Sequence, residues 1–210
     1  MLTLFDGAEA IAEEVSDLIR ASLAEIFAVE GGPWSDLELP LDHLRLKGPV
    51  RKYTLPGRDF LDMELARTHR PSFLFFLGRG DEGQGTFQPI GTVEVHRDDA
   101  GNFRFDGLRR MRREEAPDYL SELIDGFLAR QRQRVDDPDE RWVLSLIEVP
   151  DAYLYLAALR REGEDRSIFD DEQPAYPLAI NEARSQAGSA LQDLRRHREK
   201  VRDLLRRKRA

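Results

Sequence analysis

Hydrophobic spacing switches between two periods along this chain, and the order of the switches narrows the fold more than any other feature. Ile11, Val15, Leu18, Ile19, Leu23, Ile26 and Phe27 recur at helical spacing, which predicts a helix over residues 8–28. Asp6 or Gly7 can cap its start, Glu9 suits the positive end of its dipole, and Gly31-Gly32-Pro33 stops it. Residues 31–49 form a connector. Leu37, Leu39 and Leu41 alternate there, but Pro40 restricts any strand to an edge, and Gly48-Pro49 is a break. A short strand is expected at Val50–Leu55, and a short helix at residues 59–69, ending before Pro71.

The period then falls to two. Ser72–Leu77, Phe87–His96 and Phe103–Phe105 read as three strands close in sequence, for which an antiparallel meander is the economical pairing. A second helix is expected after Pro117, with Leu120, Leu123, Ile124, Phe127 and Leu128 on one face. Trp142–Val149 and Ala152–Arg160 read as a hairpin around Pro150-Asp151, although Ala157-Ala158-Leu159 would also suit a helix. Residues 163–177 read as an acidic loop, and residues 179–208 turn helical again. The order helix, meander, helix, hairpin, helix points to α+β rather than to a doubly wound sheet. The expected fold is an antiparallel meander/hairpin sheet packed with an N-terminal helix and a middle helix. A long basic helix follows at the C-terminus.

Charge is segregated along the same order. Residues 191–210 hold nine Arg or Lys and three acids, a net +6, while the whole chain is −8, so residues 1–190 stand at −14. The natural division is an acidic domain over residues 1–178 and a basic helix over 179–210. Such segregation attracts the tail to something acidic: its own body, a second copy, a partner or nucleic acid. Within the tail, Ala187, Leu191, Leu194, Arg198, Val201, Leu205 and Lys208 alternate at four- and three-residue spacing, a heptad seam with polar interruptions. Leu191, Leu194, Val201 and Leu205 are the candidate apolar contacts, flanked by Arg195, Arg198 and Arg202. Whether they cover the chain's own body or another chain is open. Deleting residues 188–210 is expected to leave a folded body.

Composition excludes several chemistries. The chain has no cysteine, so thiolate catalysis, disulfides and Cys-ligated metal are ruled out. The longest apolar run, Phe73–Leu77, is too short to span a bilayer, and acids follow the N-terminal Met1–Phe5 at once. A cytoplasmic protein without membrane contact is the expectation.

The remaining motifs are weak. Gly78-Arg79-Gly80-Asp81-Glu82-Gly83 matches a phosphate-binding spacing, but a strand is expected after it where the mechanism needs a helix, and two acids sit inside it. His43, His69, His96 and His197 never lie three or four residues apart, so no helix offers a metal pair. His96, beside Asp98 and Asp99, is the one candidate general base. Arg109, Arg110, Arg112 and Arg113 form a basic patch best read as pairing with nearby acids. No catalytic residue, metal site or cofactor is assigned.

The sequence therefore favours a non-enzymatic subunit or adaptor that docks on protein through its C-terminal helix. The alternatives are a small hydrolase or nucleotide-handling enzyme at the meander turns, and a nucleic-acid-associated protein. The acidic body and the lack of aromatic residues among the tail's arginines count against the last.

Overall fold

A computed structural model describes residues 2–3, 5–29, 32, 34, 43–80, 87–110, 141–163, 167–177 and 192–207. In chain order its elements are β1 (Leu2–Thr3), α1 (Ala8–Phe27), β2 (Leu44–Thr54), α2 (Gly57–Leu61), α3 (Met63–Thr68), β3 (Ser72–Gly80), β4 (Phe87–Arg97), β5 (Phe103–Arg110), β6 (Trp142–Val149), β7 (Leu154–Arg161), β8 (Pro174–Pro177), β9 (Gln192–Asp193) and α4 (Leu194–Arg207). The fold is α+β with mixed strand pairing. The chain groups into two compact units: residues 1–5, 51–71 and 139–210 form the first, and residues 6–50 and 72–138 the second.

The second unit contains the expected meander. β3, β4 and β5 pair antiparallel in sequence order, with Phe73 opposite Val95 and Val95 opposite Phe105. Phe73, Phe75, Leu77, Val93 and Val95 are buried, and so are Val15, Ile19 and Leu23 of α1. These residues follow the two periods read from the sequence. Arg97 at the end of β4 bonds Glu14 of α1 at 3.0 Å. Gly91 of β4 admits the Trp34 ring, because a Cβ there would lie 2.8 Å from it and 2.7 Å from the Arg109 carbonyl oxygen. Gly80 pairs with Phe87, so the next described element after the glycine-rich segment is a second strand, where phosphate binding needs a helix N-terminus.

In the first unit β6 is central. β7 pairs with it antiparallel, and β1 and the end of β2 share its other edge as parallel partners. Burial on both faces explains its nearly unbroken apolar run. The sheet continues antiparallel through β8 to β9. Asp62 separates α2 from α3 and caps α3, its carboxylate accepting the Glu64 and Leu65 N–H groups. The core gathers Leu55, Phe60, Ile147, Leu156, Phe169, Leu194 and Val201.

Two expectations change, and the helix alternative for one segment closes. The connector ends earlier than expected, because β2 starts at Leu44 and passes through Gly48-Pro49. Gly48 permits this: its φ is 126°, and a Cβ would meet the Leu74 carbonyl oxygen at 3.0 Å. The acidic loop also ends in a strand, β8, which takes up the free edge of β7. The second segment of the hairpin is a strand, because β6 offers it a full antiparallel register from Trp142–Arg161 to Val149–Leu154. The middle helix, with Phe127, lies outside the described residues, as do Leu191, Arg112, Arg113 and the loop 81–86. Among the described residues, no helix is long and apolar enough to cross a membrane.

Candidate functional site

The C-terminal helix carries the charge segregation, so its setting decides what the basic residues can do. β9 delivers the chain to α4. The first two helical N–H groups, of Leu194 and Arg195, donate to the Gln173 and Asp171 carbonyls at 3.0 and 3.1 Å, satisfying donors that have no partner inside the helix. Leu194 and Val201 are fully buried in the first unit's core and Leu205 is half-buried against it. The question left open for the seam is thus answered for these residues, which cover the chain's own body. Gly57 lets the last turn approach α2, since a Cβ there would lie 2.9 Å from Leu205 Cδ1 and 2.9 Å from the Asp151 carboxylate. That carboxylate also accepts the Gly57 N–H, at 2.8 and 2.9 Å.

Two polar side chains of α4 point inward. The Arg198 side chain is 4% exposed. Its Nε donates to the Phe60 carbonyl at 2.8 Å, Nη2 to the Phe169 carbonyl at 2.6 Å, and Nη1 to Asp171 Oδ1 at 2.5 Å. The guanidinium also lies 5.4 Å from the Phe60 ring centroid. Every branch of the fork is therefore engaged inside the unit. Arg198 thus anchors the helix to the unit's core.

His197 is 1% exposed. Its Nε2 lies 3.3 Å from the Ala175 carbonyl oxygen, which can only accept, so Nε2 carries the proton. Its Nδ1 is buried with no hydrogen-bond partner among the described residues. Burial holds the imidazole below its ordinary pKa against the opposing effect of the Ala175 bond, and repulsion from Lys200 adds a still smaller lowering. A group with a depressed folded pKa is neutral in the native state and protonates first in the unfolded chain. Stability should therefore be complete above about pH 6.5 and decline as pH falls below it, by at most about 1.4 kcal/mol per pH unit. Urea midpoints at pH 5 and pH 8 should differ in the native chain, and His197→Leu should shrink the difference. An unchanged difference would assign the pH dependence to other groups.

The outward face of α4 carries exposed Arg195, Arg196, Glu199, Arg202, Arg206 and Arg207. Arg195 makes a loose ion pair with Asp171, at 3.6 Å. A groove of about 530 Å³ runs between the Leu61–Glu64 segment and Arg195, Glu199 and Arg202. It is mixed in charge, with basic residues from α4 and with Asp62 and Glu64 opposite.

The second unit holds the alternative candidate. His96 does not join Asp98 or Asp99. Its Nδ1 lies 2.6 Å from Asp106 Oδ1, with both side chains 40% exposed. A β-bulge makes this pairing: Val95 opposes Phe105 while Glu94 opposes Gly107, which leaves Asp106 as the extra residue and turns it toward His96. Asp98 instead accepts the Asn102 N–H and the Arg104 Nε–H, both at 2.9 Å. The Arg104 bond first, then the Asn102 bond, holds it below the usual carboxylate range. It closes the turn.

The sequence reading missed a further pair, Asp59 and His69, joined at 2.9 Å across the α2–α3 corner. The His69 bond, helped by Arg58, holds Asp59 below the ordinary carboxylate range. Ten residues separate the two, so no helical spacing announces them. Among the described residues no cluster of three His, Asp or Glu is placed to hold a metal ion. No protein-family model, curated protein or solved structure matches this chain.

Proposed function

We propose that this protein is a non-enzymatic subunit or adaptor of a protein assembly, and that it docks on an acidic protein surface through the outward face of α4. One observation carries the reading. Leu194, Val201 and Arg198 fix the helix to the core, so Arg195, Arg202 and Arg206 stand on a rigid element whose ordering has no further entropic cost on binding. Charge on such a face sets orientation and partner choice. The described seam residues Leu194 and Val201 are already covered, so the docking contact is polar and salt-sensitive. The strongly acidic remainder of the chain makes nucleic acid the weaker partner.

The test replaces Arg202 and Arg206 with Glu in the full chain. Both side chains are exposed, so the unfolding midpoint should move by less than about 1 kcal/mol. Complexes isolated from the native cell after nuclease treatment should be lost in this variant. If the variant keeps its protein partners, α4 is not the docking element. If nuclease alone dissolves the complexes, nucleic acid is the partner and the reading fails.

A further inference from the structure

α1 is as one-sidedly acidic as α4 is basic. It carries Glu9, Glu13, Glu14, Asp17 and Glu25 against a single arginine, Arg20. Glu9, Glu13 and Asp17 follow one another at i, i+4 spacing, where like charges repel along a helix. Arg202 and Arg206 repeat the arrangement with the opposite sign on α4. Of the α1 acids, Glu14 has an ion pair, with Arg97, whereas Glu9, Glu13, Asp17 and Glu25 have none among the described residues. Arg20, Glu199, Arg202 and Arg206 likewise have none among the described residues. Exposed Ala10, Ala21 and Ala24 lie between the α1 charges and allow another helix to come close.

The two charge patterns are complementary in order as well as in sign. Along one face of α1 the exposed residues Glu13, Asp17 and Arg20 run acid, acid, base. Along one face of α4, read from its C-terminus, Arg206, Arg202 and Glu199 run base, base, acid. The spacings are four and three residues on both helices. Each row spans about 10 Å at a helical rise. Laid antiparallel, they set Glu13 against Arg206, Asp17 against Arg202 and Arg20 against Glu199. The antiparallel sense also brings the positive end of each helix dipole to the negative end of the other.

We infer that the acidic face of α1 receives the basic face of α4 from a second copy of this chain, in this antiparallel register. The inference rests on the docking role proposed for α4 and names its occupant. A two-fold dimer would make the contact twice, once with each chain giving α4 and receiving it on α1.

A charge-swap cycle on the full chain tests it, with light scattering at low salt as the readout and the unfolding midpoint as the folding control. Glu13→Lys with Asp17→Lys reverses the α1 face, and Arg202→Glu with Arg206→Glu reverses the α4 face. The native chain should self-associate, and either reversal alone should raise the dissociation constant by about tenfold or more. All four substitutions in one chain should restore association, as should an equal mixture of the two reversed chains. Arg20→Glu should weaken association and Glu199→Arg should rescue it, which fixes the register. A native chain that stays monomeric overturns the inference, as does a reversed pair that fails to rescue. If α4 reversal abolishes association and α1 reversal does not, the second-copy assignment fails while docking through α4 survives. If α4 reversal changes neither self-association nor any partner, both readings fail.

Discussion

Arg198→Ala is expected to destabilise the first unit by about 3–5 kcal/mol, a large share of the roughly 5–15 kcal/mol of a whole domain. The substitution leaves the Phe60 and Phe169 carbonyls without their donor and Asp171 without its closest cation. It also empties the space over the Phe60 ring. Arg198→Lys should rescue little, because an ammonium lacks the planar fork that reaches three acceptors at once. Urea midpoints of the three chains measure the effect. A midpoint for Arg198→Ala close to that of the native chain would show that solvent replaces the guanidinium at little cost.

Deleting residues 194–210 is expected to abolish cooperative unfolding of the first unit, in contrast to the folded body that charge segregation alone suggests. Leu194 and Val201 each contribute about 1.5–3 kcal/mol by burial, and their loss exposes Leu55, Phe60 and Leu156 to water. Leu194→Ala alone should cost about 2–5 kcal/mol, the usual range for a fully buried leucine. Near-ultraviolet circular dichroism across a urea series would follow Tyr53 and Trp142. A shortened chain that unfolds at the full-length midpoint would show that α4 lies outside the core.

Local pattern explains which parts of the fold were legible. The α1 stripe and the alternation of β4 and β5 reflect residue spacing and burial on one face, and both appear where the spacing puts them. The extension of β2 through Gly48-Pro49 was not legible, because a glycine-proline pair normally marks a break. What keeps this one in a strand is a neighbouring backbone from residues 74–75. β8 was hidden for a similar reason: its residues do not alternate, and it forms because β7 has an edge to pair. At the candidate sites, the exposed arginines of α4 were legible as charge. The Asp106 partner of His96 was not, since a bulge can shift which residue faces a neighbour without leaving a trace in the spacing.

Sequence alone determined the α+β class, the absence of thiol chemistry and the basic character of the last helix, because each follows from composition or from a period of a few residues. Only the tertiary structure decided how that helix divides its residues. Arg198 looks like its neighbours in the sequence, yet its acceptors come from Phe60, 138 residues away, and from Phe169, 29 residues away. Which arginine is an anchor and which faces outward depends on carbonyls that long-range folding brings to the helix. A buried cation is tolerable where its hydrogen bonds are complete, and Arg198 occupies such a position on α4.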